Sequence, residues 1–253
     1  MHADVVSTLW TDYRSREIIR DLHPNDHMFN AAVQGWTDYM GVGVSAVQII
    51  CSALLTGPAY HLEKVLDFGC GHGRVARHLR AFLPKAELYF ADIDETGSRF
   101  CADTFAGNYV QSHHDFDQLD LPKDRDLIWV GSVFTHLDYG RMNKLFNALI
   151  GALRPRGTLI ATFRGESQYR RALQETDPNQ RRKWKSLIDQ YEAGGIGFGS
   201  YGIADDPEWG LSLSSINSVI GMGKRLPNVR LVSYSEIGWA AAHDVAAWSI
   251  SPV

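Results

Sequence analysis

The run Val65-Leu66-Asp67-Phe68 is apolar except for one carboxylate, and it breaks at once into Gly69-Cys70-Gly71-His72-Gly73-Arg74. Glycine lacks a Cβ, so a turn of this kind lets the backbone reverse sharply and lets a ligand approach the main chain closely. N–H groups at the start of a helix that follows such a turn face a polar or anionic ligand group. The segment from Arg74 to Phe82 has helical character and stops before Pro84. The feature is therefore a strand–turn–helix unit built to hold something.

The same unit repeats downstream. Ala86–Ala91 reads as a second strand and Glu95–Phe105 as a second helix, followed by a weaker third strand at Asn108–Ser112. Asp126–Val133, rich in Ile, Val and Trp, is a strong fourth strand. Arg141–Leu153 has helical periodicity, and Thr158–Phe163 is a fifth strand. Alternation of this kind predicts a parallel sheet wrapped by helices on both faces. Later segments change character. Gln168–Tyr191 looks helical and basic, Ala193–Gly202 is glycine-rich, and Pro207–Leu226 contains a helix starting near Ser212 or Ser214. Arg230–Ser235 and Asp244–Ile250 are strand-like runs joined by a short connection, which predicts a closing antiparallel hairpin.

The expected architecture is α/β: a Rossmann-like, seven-stranded, mostly parallel sheet with a C-terminal hairpin and an N-terminal helical extension. Residues 1–62 stand outside the alternation. Val5–Leu22 and Val42–Leu55 read as helices around the polar stretch His23–Asn30, either as an extension packed on the main domain or as a lid over its ligand. Residues 63–253 form the main domain, with a helical and aromatic insertion at about 165–226. The longest apolar stretch, near Gly41–Leu55, is interrupted by Gly41, Gly43, Ser45, Gln48 and Ser52 and reads as too short and polar to span a bilayer.

Composition narrows the function. A formal charge of −4 argues against a protein that works by neutralising nucleic-acid phosphates. Three cysteines, Cys51, Cys70 and Cys101, with no CxxC spacing argue against a disulfide framework or structural zinc and point to a reducing, cytosolic setting. A metal site from His113, His114 and Asp115 is poorly spaced, and none is expected.

Two details separate the loop from a dinucleotide site. The sixth position of a G-x-G-x-x-G fingerprint is Arg74, and Asp67 before the loop would repel a pyrophosphate while suiting a cationic amino-acid tail. Asp92, in Phe90-Ala91-Asp92-Ile93-Asp94, lies at the offset where a carboxylate can accept both ribose hydroxyls. An NAD-dependent oxidoreductase is thus the weaker alternative.

Asp-x-Gly-x-Gly-x-Gly after a hydrophobic strand resembles motif I of class I S-adenosylmethionine-dependent methyltransferases. Ala91-Asp92-Ile93-Asp94 resembles their acidic second motif, and Ser132-Val133-Phe134-Thr135-His136-Leu137 the end of strand four in a bacterial branch acting on small molecules or glycans. Leu153-Arg154-Pro155-Arg156-Gly157-Thr158-Leu159 is similar to the family's turn before strand five, with Arg156 in place of its first glycine. The resemblance covers Val65 to Phe163 well and the closing hairpin more loosely.

The resemblance implies S-adenosylmethionine as cofactor. Gly69, Cys70 and Gly71 would line its methionine part, Asp67 and Arg74 would orient its ammonium and carboxylate, and Asp92 would hold the ribose with Ile93 on the adenine face. Ser132 joins this set, and Asp115 and Asp117 share the role of meeting the adenine amino group. His72, within the loop, shapes the pocket. For a hydroxyl acceptor a histidine is the natural base. Ligands bind beyond the carboxyl ends of the strands, which selects His136 after strand four and His243 in the hairpin connection, with Asp138 or Asp244 to orient either ring. Tyr191, Phe198, Tyr201, Trp209 and Trp239 are either core or faces for a sugar or aromatic ring. Arg170, Arg171, Arg181, Arg182, Lys183 and Lys185 read as a solvated helix face or a phosphate site. The expected activity is O-methylation of a small-molecule or glycan-like acceptor. A non-catalytic cofactor-binding or scaffold protein is the alternative on the same fold, and the oligomeric state stays open. Ser132-Val133-Phe134-Thr135 stands where a nucleic-acid amine methyltransferase has an N/D-P-P-aromatic tetrad, and no nucleic-acid partner is expected.

Overall fold

The computed structural model describes residues 2–31, 35–58, 61–202 and 209–251. Seven strands form one sheet: β1 (Lys64–Phe68), β2 (Glu87–Asp92), β3 (Asn108–Gln111), β4 (Arg125–Val130), β5 (Leu153–Phe163), β8 (Val229–Trp239) and β9 (His243–Ile250). Their order is β3-β2-β1-β4-β5-β9-β8. Every neighbouring pair is parallel except β5–β9 and β8–β9, so β9 alone runs against the others and β8 runs with them. The order reverses between β1 and β4, and the glycine loop leaves β1 at that point. This is where an open α/β sheet leaves a crevice for a ligand.

Burial on both sheet faces explains why β1 and β4 read as continuous apolar runs. One core lies under α1 (His2–Ser15), α2 (Gly35–Thr56), α3 (Ala76–Phe82) and α4 (Glu95–Thr104), with Ile50, Leu79, Phe82, Phe105 and Trp129 among its members. The other lies under α5 (Tyr139–Ile150) and α8 (Ile216–Lys224), with Phe134, Phe146, Phe163 and Trp248. Helix starts follow side-chain caps: Asp94 accepts from Thr96 and Gly97 N–H at α4, and Asp138 from Gly140 and Arg141 N–H at α5.

Several segments differ from the sequence expectations, and the first helix ends at Ser15, short of the expected Leu22. The helix α2 is 22 residues, and by length and apolarity alone it could cross a membrane. Its Tyr39, Ala46, Val47, Ile50 and Leu54 are instead buried against the sheet domain, as in a core helix. The basic segment predicted as one helix is two, α6 (Glu166–Leu173) and α7 (Pro178–Gly194), because Asp177 caps a new start with Pro178 in its first turn. The glycine-rich stretch is a strand, β6 (Ile196–Ser200), paired antiparallel with β7 (Gly210–Ser214). Its glycines let α7 lie close, since a Cβ on Gly197 would stand 2.0 Å from the Leu187 carbonyl oxygen. The expected segment 207–226 begins among residues that lie outside the described ones, and its helix starts after Ser215, which caps α8. Arg156, in place of a motif glycine, adopts the left-handed conformation at φ +68°.

Candidate active site

A cavity of about 600 Å³ opens at the C-terminal edge of β1, β2 and β4. Its floor is the glycine loop. Gly69 takes φ +80°, and a Cβ there would meet Val133 Cγ2 at 2.2 Å, so only glycine lets the loop lie against the end of β4. A Cβ on Gly71 would meet nothing within 4 Å, which marks open space above the loop. Gly71 N–H donates to Asp92 Oδ2 at 2.7 Å, and Asp94 N–H to Asp92 Oδ1 at 2.9 Å. The carboxylate thus ties the loop to the end of β2, and each oxygen keeps a lone pair for a hydroxyl donor.

Asp67 is 1% exposed, lines the cavity, and its Oδ2 has no hydrogen-bond partner among the described residues. Burial, with Asp92 nearby, pushes its carboxyl up to about 8. A buried carboxylate oxygen without a donor fits a cationic ligand group. Arg74, also on the wall and largely buried, lies near Tyr39 and Asp26, and burial lowers its pKa. The pair matches the ammonium and carboxylate of an amino-acid tail, so the residues present fit the expected cofactor.

Gly69, Cys70, Gly71, Asp92, Ile93 and Ser132 all line the same cavity. Ser132 holds φ +63°, a strained conformation for a residue with a side chain, and it is fixed by its N–H donating to Thr162 Oγ1 at 2.8 Å. Asp115 and Asp117 are not brought to the wall. Asp115 caps the short 3₁₀ turn Phe116–Gln118, and Asp117 pairs with Lys144 at 2.6 Å. Ser112, His113, His114 and Phe116 occupy that side of the cavity instead.

His136 lines the cavity at the end of the 3₁₀ turn Phe134–His136. Its ring stacks on Trp209 at 4.7 Å and 17°, and its Nδ1 lies 2.9 Å from the Gly210 carbonyl oxygen and 3.1 Å from Tyr201 Oη. A carbonyl can only accept, so Nδ1 carries the proton and Nε2 is left as the basic nitrogen. Burial, and next the Arg164 charge, hold the ring down to about 4. It is neutral at physiological pH. His243 opens β9 with a similar depression to about 4, from burial and from Arg164, His136 and Arg74. His243 is not on the cavity wall. Neither aspartate expected to orient these rings does so: Asp138 caps α5, and Asp244 accepts from Tyr234 Oη at 2.6 Å and Ile237 N–H at 3.0 Å.

Of the aromatic residues singled out, Trp209 and Trp239 line the cavity, while Tyr191 stacks on Tyr169 away from it. The basic set stays on helix faces, where Arg170 pairs with Glu166 and Lys185 with Asp189. The polar stretch between α1 and α2 supplies Asn25, Asp26, His27 and Met28 to the wall. His23 stacks on His72 at 4.6 Å, and His72 Nε2 lies 3.6 Å from Asp94 Oδ2. Nothing in the local pattern around residues 25–28 points to this beyond its polarity between two helices.

Residues 66–159 match the model of a methyltransferase-domain family. The fold is that of solved S-adenosylmethionine-dependent methyltransferases. A methyltransferase structure from Clostridium acetobutylicum superposes with a TM-score of 0.56 at 12% identity, covering 89% of this chain and 97% of that one. The 1,6-didemethyltoxoflavin-N1-methyltransferase of Burkholderia thailandensis, bound to its substrate and S-adenosylhomocysteine, gives 0.53 at 15% identity, with 99% and 89% covered. Magnesium protoporphyrin IX methyltransferase of Synechocystis, with S-adenosylhomocysteine, gives 0.53 at 11% identity, with 97% and 94% covered. No curated protein matches the chain in sequence.

Proposed function

We propose that the chain transfers the methyl group of S-adenosylmethionine to a hydroxyl oxygen of a small-molecule acceptor, in a reducing cytosolic setting, with His136 as general base. The observation that carries this reading is the fixed tautomer of His136: a neutral ring on the cavity wall whose Nδ1–H is committed to Gly210 and whose Nε2 is free to take a proton.

The cofactor supplies an activated methyl on a sulfonium, which needs no further activation by the protein. Asp67 and Arg74 would hold the amino-acid tail, Asp92 the ribose hydroxyls, and Ile93 and Ser132 the adenine side. His136 Nε2 removes the hydroxyl proton as the acceptor oxygen bonds to the methyl carbon. The cofactor, when bound, would supply the methyl and keep the electron pair of its carbon–sulfur bond on sulfur, and the proton leaves on the imidazole. Trp209, stacked on the ring, keeps its plane aligned and water away from it. A low histidine pKa keeps the base form populated across neutral pH.

The test is transfer of labelled methyl to a panel of hydroxyl and amine acceptors, followed by mass analysis of the methylated atom. His136→Ala is expected to lower kcat by about 10²–10⁴-fold on a hydroxyl acceptor while leaving S-adenosylhomocysteine affinity unchanged. Wild-type rates in the variant, or methyl found only on nitrogen, would sink the assignment.

A further inference from the structure

A glycine at the end of a strand leaves uncovered whatever lies beyond it. Gly131 follows β4 on the cavity wall, and a Cβ there would stand 2.9 Å from Trp129 Nε1 and 3.1 Å from Trp239 Cη2. Two indoles thus close on a residue that has no side chain to mask them. Their rings meet edge to face, with centroids 5.6 Å apart at 76°, and both line the cavity. Trp129 is the register partner of Asp67 on β1, so its ring adjoins the place of the cofactor's amino-acid tail. Trp239 donates its Nε1–H to the Val42 carbonyl oxygen at 3.1 Å, so ring and not donor is what it offers to a ligand.

The turn that begins at Gly131 ends at His136. Thr135 Oγ1 donates to the Ser132 carbonyl oxygen at 2.7 Å and His136 N–H to that of Val133 at 3.0 Å, which keeps the turn tight. The stack of His136 on Trp209 therefore stands at the other end of the same short turn, and both rings are on the cavity wall. Trp129 and Trp239 belong to the core under α1–α4, whereas Trp209 packs against the core under α5 and α8. Indoles from both faces of the sheet make the space beyond β4 a slot. Such a lining suits a flat apolar ring, whereas a sugar would bring several hydroxyls to a wall whose Trp239 N–H is already engaged.

The strength of the base points the same way. Held down to about 4, His136 is a weak base. It takes a proton far more readily from a phenol, with a pKa of about 10, than from a sugar hydroxyl, which resembles water at about 16.

We propose that the acceptor is a flat aromatic ring carrying its hydroxyl directly, held in the slot between the Trp129–Trp239 pair and the His136–Trp209 stack. The ring contacts the indoles and the hydroxyl lies at His136 Nε2, so this proposal rests on the reading of His136 as base.

The experiment uses 2-naphthol and decahydro-2-naphthol, which share a carbon skeleton and a hydroxyl and differ in flatness, titrated into the complex with S-adenosylhomocysteine. Wild type is expected to bind 2-naphthol about tenfold or more tightly. Trp239→Leu and Trp209→Leu are each expected to cut that preference about threefold or more, and Trp239→Phe to keep most of it, with S-adenosylhomocysteine affinity as the check on folding. Equal binding of the two probes by wild type, or a preference unchanged in both leucine variants, overturns the proposal. Turnover of 2-naphthol, decahydro-2-naphthol and 2-naphthylamine separates the two readings. Methyl on the amine alone, with the flat probe still preferred in binding, sinks the base and leaves the slot. Methylation of both alcohols at equal rates sinks the slot and leaves the base.

Discussion

Asp67 carries a prediction that belongs to a single carboxyl group. Without a cation beside it, burial and Asp92 hold it near 8, so it is mostly protonated at pH 7. The ammonium of the cofactor favours the ionised form. Binding of S-adenosylhomocysteine at pH 7 is therefore expected to release a proton from most molecules, and affinity to rise with pH and level off above about 8. Calorimetry in buffers of different ionisation enthalpy measures the release directly. In Asp67→Asn the release vanishes and affinity falls about tenfold or more. Release that persists in the variant would assign the proton elsewhere. The amino-acid sequence alone makes Asp67, Asp92 and Arg74 legible, because the strand, turn and helix that position them are contiguous in the chain. Asp115 and Asp117 are not legible in that way, because a cap and an ion pair with Lys144 decide where those side chains turn.

Among elements, the polar segment between α1 and α2 is the one whose place the sequence leaves open. Its contacts reach residues about fifty positions away, and no local pattern encodes such pairings. Arg77 on α3 fixes it. The side chain is fully buried, donates Nε to the Gly73 carbonyl, and reaches the carbonyls of Ile19 at 2.7 Å and Asp21 at 3.1 Å. Tyr39 Oη, on α2, donates to Asp26 Oδ2 at 2.5 Å on the cavity side. We expect Arg77→Met to leave two carbonyls unsatisfied, to cost about 2–4 kcal/mol of stability, and to expose residues 16–31 to limited proteolysis. Protection of that segment by S-adenosylhomocysteine, lost in the variant, would establish that it closes over the cofactor. Unchanged cleavage with and without ligand would make it a fixed wall. The hairpin of β6 and β7 escapes sequence reading for a related reason. Glycines that signal a loop serve there to admit a neighbouring helix, and the contact with that helix is not written in the strand's own pattern.

At the scale of the whole molecule, buried titratable groups shape stability against pH. His78, His136 and His243 are each held down to about 4 in the fold, chiefly by burial, against an ordinary value of 6.5. Between those values the unfolded chain binds more protons, so stability is complete above about 6.5 and falls as pH drops towards 4. Asp67 acts with the opposite sign. Its folded pKa is raised to about 8, so the stability it contributes is present at acid pH and is lost as pH rises from about 4 through 8. Thermal unfolding across pH 4–9 is expected to show a maximum near pH 6–7, with about two protons' worth of slope on the acid side, three from the histidines less one from Asp67. Asp67→Asn should flatten the alkaline limb and steepen the acid one by about one proton, and an unchanged alkaline limb would discount that carboxyl.

The placement of β9 has a consequence for how the molecule is made. The strand lies between β5 and β8 although it follows both in the chain, and until residues 243–250 arrive neither neighbour has a partner on that side. The glycine loop and its flanking strands leave the ribosome some 170 residues earlier, at about 5–20 residues per second. The cofactor half of the sheet can therefore assemble during synthesis, while the corner where Trp239 packs on His243 and Trp129 comes into being only as the nascent chain inserts its late strand. Any truncation that removes 243–250 is expected to leave an exposed edge on β5 and to fail at that corner first.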